Sequence, residues 1–396
     1  MIIARLKLTN WRNFTDVDVP LQDRAFIIGP NASGKSNLLD AIRFLRDVAK
    51  REGGGLQAAV GKRGGFRQIR SLSVHSGGGV GIEVHLSRDS GEPVEWVYRL
   101  VFAVEQRGNH RTLVQEEIVM HNGEVLLRRP TPEDIEDSER LTETALEQVN
   151  ANRPFRHVAE FFDEITYLHL VPQLVRFGAE IGGNRLENDP FGQGFLERIA
   201  STNSKTRQSR LRKIAVSLSH IVPQLQEITF ERDSATGQPH LRVRFENWRA
   251  HDVSQTEDQL SDGTLRLIGL FWSLLERGGP LLLEEPEISL NRDIVLRLAG
   301  LIYRLSVPVR RRRGDERHNE RRQVILTTHS PDLLCDQGID GWEVLCITPS
   351  KDGSVVSPLA EDHGRRKVLE AGVMPGVVAP FREQGKQLPF HLGLSL

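Results

Sequence analysis

The chain has 396 residues and a formal net charge of −1, with 52 lysines and arginines against 53 acidic residues and 38% apolar content. That length implies two or three domains with a sizeable core, and the composition excludes wholesale disorder. Two cysteines, Cys335 and Cys346, lie outside any Cys-x-x-Cys or paired-histidine pattern, which excludes a disulfide framework and fits a reducing cytosol. Charges interrupt Met1 to Lys7 too early for a signal peptide, and no window approaches the roughly 20 apolar residues of a membrane span. The expectation is a soluble, cytoplasmic protein without a membrane partner.

Ile3 to Leu8 alternates weakly and reads as an edge strand, turning through Asn10-Trp11-Arg12-Asn13-Phe14 into a second strand at Val17 to Leu21. Next comes Phe26-Ile27-Ile28-Gly29-Pro30-Asn31-Ala32-Ser33-Gly34-Lys35-Ser36, an apolar strand entering a glycine-rich turn. This pattern describes a phosphate-binding loop. Gly29 and Gly34 permit tight folding round an anion, the intervening N–H groups point inward, Lys35 supplies a point charge, and the Ser36 hydroxyl can hold magnesium. Leu38, Ile42, Leu45 and Ala49 then share one helical face, so the loop feeds a buried helix with its N-terminus toward the phosphates.

A glycine-rich basic segment from Gly53 to Gly65 leads to Phe66-Arg67-Gln68-Ile69-Arg70, and residues 71 to 129 read as an antiparallel meander. From Thr131 the pattern is acidic and helical through Glu147, which reads as a solvated face. Phe155 to Phe162 is a helix and Ile165 to Leu170 a short buried strand. The stretch Ser204 to Ser217 carries Lys205, Arg207, Arg210, Arg212 and Lys213, either a phosphate-contacting surface or a plain solvated one.

Sheet returns at Ile228 to Arg232 and His240 to Phe245. Leu260-Ser261-Asp262-Gly263-Thr264 then opens a helix with a Ser and a Gly at its N-terminus, where an N-cap is the ordinary reading and an anion site the functional one. The strand Leu281 to Leu283 ends in Glu284-Glu285-Pro286-Glu287, and buried strands seldom finish on adjacent acids unless these bind a cation or move a proton. Between Arg310 and Arg322 lie seven arginines against three acids. Gln323 to Thr328 is one more apolar strand, ending at His329. Three strands that finish in functional polar groups point to one sheet edge.

In this order, the opening Leu6-x-Leu8-x-Asn10-x-Arg12-Asn13-Phe14, the Gly29 to Ser36 loop, Leu260 to Thr264, Leu281 to Glu287 and Thr328-His329-Ser330 resemble the ATP-binding-cassette (ABC) heads of the RecF and SMC type. Within that class the chain looks similar to compact ATPases related to OLD proteins, many of them from anti-phage systems. The resemblance implies an α/β head: a phosphate-loop mixed sheet with an antiparallel meander and a short helical insertion. Residues 1–130 would form an N-terminal ATPase lobe, 131–225 the insertion, 226–350 a C-terminal lobe and 351–396 a tail.

The resemblance also implies ATP and Mg2+ as cofactors. Gly29, Asn31, Gly34, Lys35, Ser36 and Asn37 would cradle the nucleotide, Arg12 would approach its base, and Ser36 and Glu284 would hold the metal. Glu285 would polarise the attacking water and His329 would contact the γ-phosphate. A metal-sensing glutamine is either Gln68 or Gln173, with Gln68 preferred. Ser261 and Gly263 would reach ATP held by a second subunit, in a homodimer or higher even oligomer. Expected partners are nucleic acid or an effector protein such as a Toprim-type nuclease; the alternative is the nucleotide-binding subunit of a membrane transporter. Two departures stand out: Glu284 where Asp is usual, and Asp262 where many cassettes carry Gly.

Overall fold

The computed structural model describes residues 1–73, 78–105, 111–181, 189–246, 253–306 and 322–380. Strands β1 (Ile2–Trp11) and β2 (Phe14–Pro20) form a hairpin, and β3 (Arg24–Ile28) leads into α1 (Lys35–Ala49). The short helices α2 (Leu56–Gly61) and α3 (Phe66–Ile69) precede the meander β4 (Val80–Ser87), β5 (Trp96–Val104), β6 (Thr112–His121) and β7 (Glu124–Arg129). After α4 (Pro132–Glu136) and α5 (Arg156–Asp163) come β8 (Thr166–Leu168), α6 (Pro172–Ile181), α7 (Phe195–Ser201) and α8 (Ser204–Ser219). A three-stranded unit follows, β9 (Leu225–Arg232), β10 (Pro239–Phe245) and β11 (Val253–Thr256). The remaining elements are α9 (Asp262–Leu275), β12 (Leu281–Glu284), α10 (Arg292–Ser306), β13 (Val324–Thr327), β14 (Val344–Thr348), β15 (Val355–Pro358), α11 (His363–Glu370) and α12 (Pro375–Val378).

Two six-stranded sheets enclose α1. One is antiparallel, in the order β2-β1-β4-β5-β6-β7, and the other runs β15-β14-β3-β13-β12-β8 with only β15 antiparallel. The inner strands of the second sheet are apolar except at their ends, because both of their faces are covered. Ile27, Leu282, Ile325 and Leu345 pack toward α1 and the antiparallel sheet, whereas Phe26, Ile28, Leu281, Leu283 and Leu326 pack toward α9, α10 and α8. Gln323 joins the two sheets: its side-chain amide donates to the carbonyls of Ile3 (2.8 Å) and Gln22 (2.9 Å) and accepts from the Ile3 N–H (2.9 Å).

Several local expectations change. β1 is an interior strand, paired with both β2 and β4. Its alternation is weak because Arg5 and Lys7 face outward, where they pair with Asp18 and Glu83. The acidic helix after Thr131 is only the five residues of α4, with a Thr131–Asp134 capping box. Asp134 is fully buried and accepts from Arg129 at 3.0 Å, so the acid-rich stretch is not simply a solvated face. On α8, Arg207 lies over Phe230 (4.1 Å to the ring centre) and Arg210 over Trp272 (5.1 Å), which leaves Lys205, Arg212 and Lys213 exposed. β8 arises from within residues 131–225, yet it is a strand of the parallel sheet.

Candidate nucleotide-binding site

β3, β12 and β13 run parallel side by side, so their carboxyl ends share one edge of the sheet. The Gly29–Ser36 loop connects β3 to α1 at that edge. Gly34 has φ 112°, in the left-handed region, and an added Cβ would sit 2.1 Å from Asn13 Nδ2. Only glycine fits there, because both the backbone and the neighbouring amide exclude a side chain.

The loop is braced from behind. Asn13 Nδ2 donates to the Ser33 carbonyl (2.5 Å) and to Ser354 Oγ (2.8 Å), and Ser354 Oγ donates to the same Ser33 carbonyl (2.7 Å). Asn37 donates to Asn13 Oδ1 (2.8 Å), and the Trp11 indole donates to the Asn37 carbonyl (2.8 Å). Lys35 is buried, with Nζ donating to the carbonyls of Gly29 (2.9 Å) and Pro30 (3.0 Å). Burial pushes its pKa down, against the opposing pull of Glu285, Glu284 and Glu287. Asn31 is exposed at the tip.

The acidic strand end meets this loop directly. The Ser36 hydroxyl donates to Glu284 Oε1, and the Tyr167 hydroxyl from β8 donates to Glu284 Oε2. Glu285 adopts φ 44°, with its N–H directed to Thr327, whose carbonyl lies 3.2 Å away. Its Oε1 lies 3.0 Å from His329 Nε2. Glu287 is buried and accepts from Thr328 Oγ1 (2.6 Å) and from the His329 N–H (3.0 Å), and burial raises its pKa.

Ser261 caps α9 by accepting from the Thr264 N–H (3.3 Å), as the ordinary reading expects. Gly263 abuts the segment after the acidic pair: a Cβ there would lie 2.8 Å from the Ser289 carbonyl. Asp262 pairs with Arg176 (2.6 Å) and accepts from Gln173 (3.2 Å).

Thus Lys35, Ser36, Glu284, Glu285 and His329 come together. Arg12 Nη2 is taken up by Asp40 at 2.8 Å, on the first turns of α1. Gln68 stands exposed on α3, which is tied to the β1–β2 turn by the Arg12 N–H donating to the Ile69 carbonyl (2.6 Å). Gln173 instead follows β8, the strand beside β12.

Tyr167, Asn13, Ser354, Glu287 and Thr328 take part without having been assigned roles from the sequence. Asn13, Glu287 and Thr328 lie inside the quoted motifs. Tyr167 and Ser354 gave no signal, since their contacts span 117 and 321 residues of chain.

The donor set fits a magnesium nucleotide. The Ser36 hydroxyl and the Glu284 carboxylate, in contact with each other, offer the hard oxygen donors that Mg2+ takes. Among the described residues no cluster of three or more His, Cys, Asp or Glu could hold a metal unaided.

A phosphate loop, an acidic strand end and a histidine on one parallel edge, with an antiparallel sheet across α1, define a head of the ABC type, with the fold of SMC heads. The chain belongs to the family described as "AAA domain, putative AbiEii toxin, Type IV TA system", whose profile matches residues 24–336. It is similar to the "DNA replication and repair protein RecF" of Clavibacter sepedonicus, 34% identical over 91 residues, covering 23% of this chain and 22% of that protein. The protein of the same description from Proteus mirabilis is 46% identical over 46 residues, 11% of this chain and 13% of that one. The alignments thus span less than a quarter of these relatives' length.

Among solved structures, an SMC head bound to the C-terminal winged-helix domain of ScpA superposes with a TM-score of 0.52 at 17% identity, covering 92% of this chain and all of that one. A Pyrococcus furiosus SMC head with an extended coiled coil, bound to the C-terminal domain of ScpA, gives 0.50 at 13% identity, covering 93% and 99%. At these identities the likeness concerns the fold alone. Among the described residues no helix is long and apolar enough to cross a membrane.

Proposed function

We propose that the protein binds and hydrolyses ATP, dimerises around it, and couples its nucleotide state to nucleic acid or an effector protein in DNA repair or phage defence. One observation supports the catalytic part: at the Gly29–Ser36 loop, Ser36 contacts Glu284 and Glu285 contacts His329. Lys35 and the loop N–H groups would hold the β- and γ-phosphates, and Ser36 and Glu284 would hold Mg2+, which neutralises charge developing on the phosphates. Glu285 would orient the attacking water and take its proton, while His329 fixes the Glu285 carboxylate. Gln173 is favoured over Gln68 as the metal-sensing glutamine, because it follows β8 of the parallel sheet and donates to Asp262 at the start of α9.

Dimerisation is supported by the exposed Ser261 at the start of α9, a helix end suited to a second subunit's phosphates. The RecF description and the family's toxin–antitoxin description support a nucleic-acid or effector role, and no specific contact favours the transporter alternative. The arginine-rich stretch Arg310 to Arg322 would contact nucleic-acid phosphates or an acidic partner; its residues 310–321 fall outside the described residues, and Arg322 is half-buried and donates to the Ser273 carbonyl. Mixing Lys35→Ala with Ser261→Arg tests shared sites: subunit exchange should restore part of the ATPase activity. No recovery in demonstrably mixed dimers, with a Ser261→Cys crosslink to Asn31→Cys forming only within one chain, contradicts sharing.

A further inference from the structure

The acidic residue that ends β12 is a glutamate, one methylene longer than aspartate, with one more rotatable bond to immobilise before its carboxylate can serve a metal. Something must hold it. In the parallel register Leu282 lies opposite Tyr167. Side chains alternate between sheet faces, so Tyr167, Leu282 and Glu284 share the face that covers α1. Glu284 stands two residues, roughly 7 Å, further along the strand, a span a tyrosine side chain can cross. The Tyr167 hydroxyl meets Glu284 Oε2, while Ser36 meets Oε1.

The ring itself is fixed. Tyr167 is 8% exposed, and the Arg43 guanidinium of α1 lies 4.2 Å from its ring centre. Since Tyr167 occupies Oε2, the Oε1 side is left facing Ser36, the other expected metal ligand.

We propose that Tyr167 is a positioning residue for the magnesium site: it anchors one oxygen of Glu284 so that the other faces the cation beside Ser36. This rests on the ATPase reading. It accounts for a glutamate at a position where the shorter residue is usual, because an aspartate would fall short of the phenol. Groups that orient a metal ligand in this way typically change metal affinity 10- to 100-fold when removed.

The test is Mn2+ binding to the full-length protein saturated with a non-hydrolysable ATP analogue, read as free Mn2+ by electron paramagnetic resonance. Tyr167→Phe keeps the ring over Arg43 and removes only the hydroxyl. It should weaken Mn2+ binding about tenfold and leave analogue affinity in EDTA unchanged. In a Glu284→Asp background the same substitution should change Mn2+ affinity by less than about twofold, since the anchored contact is already gone. Parental Mn2+ affinity in Tyr167→Phe, an equal loss in both backgrounds, or a loss of analogue binding in EDTA overturns the proposal while the ATPase reading stands. If the parent itself fails to bind Mn2+ with the nucleotide, the ATPase reading falls and the inference with it.

Discussion

His329 Nε2 lies 3.0 Å from Glu285 Oε1. The contact follows from strand register: β12 and β13 are parallel neighbours with Glu284 opposite Thr327, so the residues just beyond them emerge side by side. Glu285 turns out of the strand at φ 44°, and Glu287 receives the His329 N–H, which fixes both partners. His329→Ala should therefore lower kcat by about 10²-fold, the scale of a lost proton-transfer or orienting group. ATP affinity should change little; steady-state kinetics alongside equilibrium nucleotide binding checks this split.

Gly34→Ala should abolish nucleotide binding. The left-handed backbone alone costs a non-glycine residue about 1–2 kcal/mol, and the new methyl would stand 2.1 Å from Asn13 Nδ2. Adding Asn13→Ala removes the collision but not the strain. The double variant should recover part of the affinity in a nucleotide titration, and a double variant as defective as Gly34→Ala would show that strain alone decides.

Ser354→Ala removes a hydroxyl that donates to Ser33 and accepts from Asn13. A buried hydrogen bond of this kind is worth about 1 kcal/mol, and Asn13 still holds the Ser33 carbonyl. ATP affinity should fall severalfold, with thermal stability lowered by about 2 °C. Calorimetric titration and a melting curve measure the two effects.

How much of this was legible depends on how local the cause is. The phosphate loop, the acidic strand end, the Leu260–Thr264 turn and His329 were readable because each combines an apolar run with a polar terminus over a few neighbouring residues. The faces of Ile27 and Phe26 follow from the same alternation. Tyr167 and Ser354 were not readable, since their roles depend on which strands become neighbours after folding. Gln68 and Gln173 both lay near element boundaries, and the neighbours of each depend on contacts distant in sequence: Gln173 donates to Asp262. Asp134 read as a surface acid because its partner Arg129 lies across a strand end.

Glu147 gives a pH signature. Burial lifts its pKa from 4.5 to about 7, although its carboxylate accepts from the N–H groups of Thr144 (2.5 Å) and Leu56 (3.1 Å). The folded state then holds a proton that the unfolded chain has released, so this group's contribution to stability is complete below pH 4.5 and declines as pH rises toward 7. Glu147→Gln should flatten that part of the stability–pH profile, measured by denaturant unfolding from pH 5 to 8. An unchanged slope would assign the dependence to other groups.

Arg322 closes the sequence's most basic stretch but is engaged inside: it donates to the carbonyls of Gly279 (2.8 Å) and Ser273 (2.6 Å) and to Thr166 Oγ1 (2.6 Å). Burial lowers its pKa to about 10. Arg322→Met should destabilise the fold by about 3 kcal/mol, because hydrogen bonds from a charged donor contribute roughly 1.5–3 kcal/mol each and their acceptors would be left buried. The exposed Lys205→Ser should stay within about 0.5 kcal/mol. Chemical denaturation of the two variants distinguishes the hydrogen-bonded clamp from the solvated surface.

The most direct measurement is single-turnover ATP cleavage by Glu285→Gln beside the parent protein, with nucleotide affinity determined on the same preparations. If Glu285 orients and deprotonates the attacking water, the variant should bind ATP within a few-fold of the parent and cleave it at least about 100-fold more slowly. Cleavage at the parental rate would contradict the assignment of this edge of the sheet as the hydrolytic site.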